Sequence, residues 1–459
     1  MDGILNLSAN FSYESGRNLI TAVENKYGTT TVSKYEYTNN ALGNRTVRAQ
    51  SGSAFSASDT INYTYNNRSE ITGATAQINT AYNYAYGFDP IGNRLTANLA
   101  GTSYGYTANS LNQYTLVNAI VPTYDVDGNM LTNGSWTYTW NGENRLTTAT
   151  DGTKTLTFAY DYAGRRISKQ VSEGTTPIKH IRFVYDKYKL IEELDALNNN
   201  ALLHQYTWQP ESVGLDVPLT LKIGADTYYY HTDANKNIIA LTDSTGNVVN
   251  TYRYSPFGQV VASTGTLENP FQFSSEYYDE ETGLVYYNYR YYNPQLGRWL
   301  SRDPIEERGG INLYNNFNDM VSVFDRLGLS NYLDPMSPDN PHSILNPYGW
   351  EKYKEELERL RLERERENER FKEANCVLQK LLDLTIPFMA EQGYKTRELI
   401  QDDMNFFVRA SYYYLLGYSS RNSWITSDSI SSSKKGFTSG PFRLLLATIF
   451  CSRLIYLIQ

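Results

Sequence analysis

Two short acidic motifs near residue 300 contain the residue types that could do hydrolytic chemistry. Arg302 and Asp303 belong to the motif SRDP, and Asp325 opens the motif DRLGL. Two carboxylates that lie together cannot both ionise easily, so one keeps a proton while the other can act as a base toward water. An arginine beside them would set the local charge balance or orient one carboxylate. These residue types fit acid–base chemistry if the fold brings them together.

Other catalytic or metal-binding patterns are not evident in the sequence. The four histidines are scattered without the spacing of metal ligands, and the two cysteines are too few for a disulfide framework. These six residues are His180, His204, His231, His342, Cys376 and Cys451. We predict free thiols, no metal site and no cofactor.

The charge distribution argues against a nucleic-acid-binding surface on the first part of the chain. The net charge is −8, and acidic and basic residues balance after Leu329. The acidic excess therefore lies before Leu329, whereas phosphate binding needs clustered Lys and Arg. The first residues, MDGILNLSANFSYESG, lack the basic start and apolar block of a signal peptide. They begin within a strand-and-turn pattern, which predicts a fragment or truncated copy of a longer repeat protein.

An aromatic strand, a glycine turn and a second strand recur along the part of the chain before Tyr252. A Tyr-x-Tyr pattern places two rings on one strand face because side chains alternate with period two. Asp or Asn together with glycine supplies the geometry of a tight reversal. The turn glycines are Gly43, Gly92, Gly128 and Gly164. We predict that the tyrosine rings pack between strands, with stacking of exposed rings on sugars as the alternative.

The stretch that follows can also be interpreted locally. Asp279 to Gly283 predicts a turn, Val285 to Tyr292 alternates as one strand, and Asn293 to Gly297 predicts the next turn. Pro304 cannot donate to a sheet ladder. The chain up to Gly328 is therefore predicted to be mainly β, wound as one curved sheet.

The repeated element resembles the YD repeats of the RHS and teneurin-like shell family. Copies include YEYTNNALGNRTVRA from Tyr35, YNYAYGFDPIGNRLTA from Tyr82 and YDYAGRRISKQV from Tyr160. The stretch FSSEYYDEETGLVYYNYRYYNPQLGRWLSRDP resembles the RHS repeat-associated core of that family. The resemblance implies a spiralling sheet of β-hairpins that forms a partial shell over residues 1–251, with the core module at 252–329.

The resemblance also implies a self-cleaving device. In similar proteins the arginine and aspartate of SRDP lie near the aspartate of a terminal motif, and the chain is cut after that motif's last leucine. By position, these residues are Arg302, Asp303 and Asp325, and the cut would fall between Leu329 and Ser330. Such an enzyme would turn over once at most, and no multiple-turnover activity is predicted.

Two departures from the family pattern affect that expectation. Arg326 and Met320 stand where the family usually has proline, and the interval from Asp303 to the second motif is one residue short. The first change would loosen the turn that presents the cleaved bond. The simpler alternative is that the aspartates only cap turns and pair with Arg302.

The composition changes after Leu329. Residues 330–350 are rich in Pro, Asn and Ser, which predicts a linker, and residues 351–459 form a variable C-terminal region that we expect to be mostly α-helical. Glu351 to Glu373 is highly charged and predicts a single solvated helix rather than a coiled coil. The last apolar segment is too short to span a bilayer between its flanking arginines.

These features favour three functions. The first is a container that encloses or presents its own C-terminal segment, as in polymorphic-toxin delivery. The alternative is a cell-surface adhesion module that binds carbohydrate or a partner cell through the tyrosine-rich shell. The third is a truncated copy without function. The resemblance implies a secreted or cell-surface location.

Overall fold

The computed structural model describes residues 7–210 and 216–315. Within these ranges the regular structure consists of β-strands and three short 3-10 helices, which confirms the mainly β prediction. The 3-10 helices are Thr80–Tyr82, Phe273–Ser275 and Glu306–Gly309. The chain divides into two compact units, Met1–Arg361 and Leu362–Gln459, and every described residue belongs to the first. The predicted linker at 330–350 and the helices predicted after it lie outside the described residues.

The first sheet has ten strands, and each pairs antiparallel with the strand that precedes it in the sequence. Short turns explain this order, because a tight hairpin can only place a strand antiparallel beside its predecessor. The strands are β1 (Leu7–Tyr13), β2 (Ile20–Tyr27), β3 (Thr30–Asn39), β4 (Arg45–Ser51), β5 (Asp59–Tyr65), β6 (Ile71–Ala76), β7 (Tyr84–Phe88), β8 (Arg94–Leu99), β9 (Thr102–Ala108) and β10 (Tyr114–Val117).

The second sheet continues the same pattern with fourteen strands. They are β11 (Thr123–Tyr124), β12 (Met130–Asn133), β13 (Trp136–Trp140), β14 (Leu146–Thr150), β15 (Lys154–Tyr160), β16 (Arg166–Glu173), β17 (Thr176–Asp186), β18 (Lys189–Asp195), β19 (Ala201–Trp208), β20 (Pro218–Ile223), β21 (Asp226–Thr232), β22 (Ile238–Thr242), β23 (Val248–Tyr254) and β24 (Val260–Thr264). We refer to these first two sheets as the repeat sheets.

The repeat strands form two sheets, which corrects the prediction of a single curved sheet. The break lies between β10 and β11. There Asn118 has a left-handed φ of 51°, and the backbone N–H of Val117 donates to the carbonyl of Ile120 at 2.8 Å. Pro122 then lacks the backbone donor that a continuous ladder would need.

The third sheet, called the core sheet below, has four short strands. They are β25 (Tyr277–Asp279), β26 (Leu284–Tyr287), β27 (Arg290–Asn293) and β28 (Arg298–Trp299). The single strand predicted from Val285 to Tyr292 is wrong, because the chain reverses at residues 288–289 and pairs Tyr287 with Arg290. Both strands are buried along their whole length, so exposure does not alternate as the strand prediction assumed.

Side chains hold the repeat turns in place, as the turn at Asp89 shows. Its Oδ1 accepts hydrogen bonds from the backbone N–H groups of Ile91 at 3.0 Å and Asn93 at 2.8 Å, and Oδ2 accepts one from the Asn93 amide at 2.9 Å. The same carboxylate-to-asparagine pairing recurs at Asp125, Asp233 and Asp243. The predicted turn glycines, Gly43, Gly92, Gly128 and Gly164, have φ values of 90°, 88°, 86° and 80°. Only glycine adopts this region without strain.

Aromatic rings from the repeat strands and from the core sheet form one buried cluster. Members from the repeat strands include Tyr63, Tyr84, Tyr86, Tyr138 and Tyr206, and members from the core sheet include Tyr286, Tyr292 and Trp299. Among the described tyrosines, only Tyr13 and Tyr162 are largely exposed. The rings mainly do the packing that their period-two spacing predicts. No α-helix suited to crossing a membrane occurs in the part of the chain that the structure describes.

Candidate functional site

The core sheet is attached to both repeat sheets by hydrogen bonds. The Arg94 guanidinium of the first repeat sheet donates to the backbone carbonyl of Gln295 at 3.1 Å. In the second repeat sheet, the backbone N–H of Arg166 donates to the Tyr286 hydroxyl at 2.9 Å. The hydroxyls of Tyr160 and Tyr291 lie 3.0 Å apart. The core sheet is therefore hydrogen-bonded to both repeat sheets.

The core sheet contacts the second repeat sheet through a network of paired charges, which we call the carboxylate junction. It consists of Arg166, Lys169, Asp279 and Glu281. The Arg166 guanidinium lies 2.5 Å from one Asp279 oxygen, and the Lys169 ammonium lies 3.0 Å from the other. Lys169 also pairs with Glu281 at 3.0 Å. Two cations face two anions, so the junction is electrically balanced.

Opposing effects set the ionisation of the carboxylate junction. Burial alone would raise the pKa of Asp279, but the charges of Arg166 and Lys169 outweigh it and hold the pKa below its usual value. Burial opposes the charge on Arg166, while Asp279 raises the pKa of that guanidinium. The guanidinium also lies 4.4 Å from the ring centre of Tyr286 and 4.8 Å from that of Tyr277. Asp279 is therefore a carboxylate at neutral pH.

Two buried arginines, Arg94 and Arg166, occupy the same position of the repeat, two residues after a turn glycine. Arg94 and Arg166 are 3% and 0% exposed, whereas the following Leu95 and Ile167 are 46% and 38% exposed. In most proteins the aliphatic residue would be buried and the arginine exposed, whereas here the arginine is buried and the aliphatic residue is exposed. The sheet register explains the reversal, because Arg94 lies opposite Phe88 and therefore shares the inner face with the aromatic rings.

The predicted site residue Asp303 lies in a second buried ion pair. Its Oδ2 is 2.9 Å from the Arg290 guanidinium, and its Oδ1 accepts the backbone N–H of Ile305 at 3.0 Å. Its own backbone N–H donates to the carbonyl of Leu313 at 2.9 Å. The Arg290 guanidinium also lies 4.2 Å from the Trp299 ring centre. Both oxygens of Asp303 are engaged, and the residue is fixed beside the last described part of the chain.

The sequence did not single out Arg290, and the ion pair that the structure shows for Asp303 is with this residue. A signal was present, since Arg290 is the one charge in the aromatic run YYNYRYY. A charge in a buried run needs a partner.

Arg302 packs against the turn at Gly128. A Cβ atom at Gly128 would collide with the Arg302 guanidinium and with the Tyr314 hydroxyl. That hydroxyl donates to the Gly128 carbonyl at 2.7 Å. The glycine is thus needed for its left-handed φ and for the close approach of these side chains.

The remaining predicted site residues, Asp325, Leu329 and Ser330, lie outside the described residues. The structure therefore fixes one carboxylate of the expected pair. Segment 316–329, which contains Asp325, follows directly after the strand-like contact of Asn315 with Arg298.

The order of antiparallel hairpins and the buried core sheet agree with a known family. The teneurin YD-shell family model matches residues 4–319. The chain belongs to this family. The YD-shell match extends through both repeat sheets and the core sheet, and it ends just beyond the described residues.

Curated relatives of this YD-shell protein include a nuclease and a deaminase toxin. The chain is 33% identical over 277 residues to the tRNA nuclease WapA of Bacillus subtilis strain 168, which covers 56% of this chain and 11% of that protein. It is 28% identical over 239 residues to the double-stranded DNA deaminase toxin A of Burkholderia cenocepacia strain H111, covering 45% and 17%. The chain therefore spans only a small share of these relatives.

Solved structures show the same fold at low sequence identity. The Photorhabdus luminescens Tc holotoxin pore matches with a TM-score of 0.58 and 19% identity, covering 71% of this chain and 18% of that one. A crystal structure of TcdB2–TccC3 without its hypervariable C-terminal region gives a TM-score of 0.58 and 19% identity, covering 70% and 18%.

Proposed function

We propose that this YD-shell protein holds and presents its own variable C-terminal region, as a delivery module of the polymorphic-toxin type. The observation that supports this proposal is the attachment of the chain immediately before that region. The Asn312 amide donates to Asn93 at 2.9 Å, and the Tyr314 hydroxyl donates to Gly128 at 2.7 Å. Both partners lie in repeat turns, so the last described residues of the chain are bound to the repeat sheets. Relatives named as a nuclease and a deaminase toxin agree with such a role.

The proposal includes a single cut between Leu329 and Ser330. Asp303 and Asp325 would share a proton, one acting as base toward water and the other as acid. Asp303 is already positioned by Arg290 and by the backbone contact with Leu313. The role also implies a secreted or cell-surface protein.

A denaturing gel tests the cut. Purified full-length chain should give two fragments, and mass spectrometry should place the start of the smaller one at Ser330. Asp303→Asn should leave the chain intact because an amide cannot act as a base. Asp243→Asn is the matched control, since Asp243 holds a repeat turn in a similar way, and this variant should cleave normally. An intact wild-type chain, or cleavage that persists in Asp303→Asn, contradicts the proposed reaction.

Retention and toxicity test the delivery role. After cleavage the two fragments should co-elute in native gel filtration and separate only in denaturant. Induced expression of residues 330–459 should slow bacterial growth, whereas the uncleaved Asp303→Asn chain should not. Fragments that separate without denaturant would rule out enclosure by the shell.

A further inference from the structure

Two buried arginines meet where the core sheet contacts the first repeat sheet. We call Arg94 and Arg298 the arginine junction. Both side chains belong to residues that are 3% exposed. A Cβ atom at Gly297, the residue before Arg298, would collide with the Arg94 guanidinium. The Arg94 guanidinium therefore packs against the backbone that precedes Arg298.

The neutral groups around the arginine junction satisfy only part of its hydrogen-bonding capacity. Arg298 donates to the Asn112 carbonyl at 2.7 Å and to the Asn93 side chain at 3.3 Å. Its Nε and Nη1 have no hydrogen-bond acceptor among the described residues, nor do Nε and Nη2 of Arg94. The Arg94 guanidinium lies 3.9 Å from the ring centre of Phe257 and 4.9 Å from that of Tyr86, and the Arg298 guanidinium lies 3.8 Å from that of Tyr114. All three rings are uncharged near pH 7.

Both arginines line one small cavity of about 10 Å³. The other described residues that line it are Phe88, Gly92, Tyr114, Phe257, Gly297 and Asn315. None of the described residues that line it is acidic. A volume of this order has room for one small ligand such as a water molecule or a halide ion.

A buried charge without a counter-charge is strongly unfavourable. Arg166 occupies the same repeat position as Arg94, and there the core sheet supplies the Asp279 carboxylate. Opposite Arg94 the core sheet supplies a neutral carbonyl and a second arginine. The arginine junction thus carries two positive charges, and four of its guanidinium nitrogens have no hydrogen-bond acceptor among the described residues.

We propose that the arginine junction binds one small monovalent anion of halide size, taken up from solution. The anion would sit in the cavity between the two guanidinium groups and lower their mutual repulsion. This inference does not depend on self-cleavage or on delivery of the C-terminal region.

Anomalous scattering from bromide tests the location of the ion. Crystals of the full-length protein grown in sodium bromide should show an anomalous peak within about 3.5 Å of guanidinium nitrogens of both arginines, the distance expected for an ionic hydrogen bond. A cavity without a peak overturns the proposal.

Thermal unfolding tests whether the ion stabilises the protein. In sodium chloride the wild-type Tm should exceed that in sodium gluconate of equal ionic strength by about 2–4 °C, because only the small anion fits and binds the folded state. Arg94→Met should lose this difference. Arg253→Met is the matched control and should retain it, since Arg253 already pairs with Asp59 at 3.1 Å and stacks over the Tyr82 ring.

The remaining outcomes also decide the question. Equal Tm values in both salts for the wild type would show that the site is filled from within the protein or by water, and the proposal would be wrong. A bromide peak without a Tm difference would indicate an adventitious ion only, which equally contradicts a stabilising site. If Arg94→Met fails to fold, the bromide crystal and the wild-type salt comparison still support or overturn the proposal.

Discussion

The carboxylate junction and the arginine junction attach the same core sheet to two similar repeat positions in opposite electrostatic ways. At the first, Arg166 and Lys169 face Asp279 and Glu281, so the charges cancel. At the second, Arg94 and Arg298 face only neutral groups among the described residues. One repeat position can therefore serve as part of an ion pair or as part of an anion-binding site. The residue that the core sheet places opposite decides between them.

This difference shows that the repeat and the core module have separate roles. The repeat supplies an inward arginine because its register fixes which residue shares the face of the rings. The core sheet supplies the residue that lies opposite this arginine, and the sequence of the core sheet does not follow the repeat period. The groups that face Arg94 and Arg166 from the core sheet thus come from a stretch of 23 residues, Tyr277–Trp299.

The largest expected effect comes from breaking the carboxylate junction. Asp279→Asn leaves two buried cations with one carboxylate, and we expect the free energy of unfolding to fall by about 3–5 kcal/mol. Denaturant titration measures it. Glu36→Gln is the control, because the Lys34–Glu36 pair at 2.7 Å is exposed and should be worth less than about 1 kcal/mol. Similar losses in both variants would mean that the buried ion pairs stabilise the fold no more than the exposed Lys34–Glu36 pair does.

The second-largest expected effect is a loss of stability at low pH, which should involve the carboxylate junction and not the arginine junction. The pKa of Asp279 is lowered, so its stabilisation is present above the unfolded pKa near 4 and is lost as the pH falls through the folded value. Burial lowers the pKa of His231 to about 4. Since unfolded histidine takes up a proton near pH 6.5, stability should already decline between about pH 6.5 and 4, by up to about 3 kcal/mol.

Unfolding free energies between pH 7 and 2 check both windows. His231→Gln should remove the loss of stability between about pH 6.5 and 4 (the upper window). Asp279→Asn should remove the loss below about pH 4 (the lower window). The arginine junction contains no acidic side chain among its described lining residues, so Arg94→Met should leave both windows unchanged. A changed lower window in Arg94→Met would show that the two junctions are coupled.

The smallest expected effect concerns the close contact at the arginine junction. Gly297→Ala and Gly101→Ala should each lose about 1–2 kcal/mol, because both glycines have left-handed φ values, of 67° and 90°. Gly297→Ala should lose about 1 kcal/mol more, since its Cβ would displace the Arg94 guanidinium, whereas the space at Gly101 is empty. Thermal melts of the two variants measure the difference. An Arg94→Met background should remove the extra loss, and an unchanged difference would exclude this contact as its cause.

The repeat fold could be predicted from local patterns. The turn glycines were correct at Gly43, Gly92, Gly128 and Gly164, because a positive φ is a property of a few neighbouring residues. The predicted strand from Val285 to Tyr292 failed because a sheet buried on both faces shows no alternation of polarity. Periodicity then cannot reveal where the chain reverses.

The site could be predicted only in part. Asp303 was found through its motif, and its partner Arg290 lies near it in the sequence, but Asp279 gained its role through a partner far away in the sequence. The pair formed by Arg166 and Asp279 joins residues 113 positions apart. Local periodicity cannot specify such a pairing. A charged residue within an aromatic run was the available signal, and it indicates only that a partner exists.

The strand order also affects how the chain folds. Within each large sheet every strand pairs with its neighbours in sequence, so each sheet can grow hairpin by hairpin during synthesis. Contacts between the sheets are different, because the contacts of Tyr27 with Ser244 and of Arg94 with Gln295 close loops of 217 and 201 residues. Loop-closure entropy makes such contacts form late. We therefore expect each repeat sheet to form early and the contacts that join the three sheets to form late.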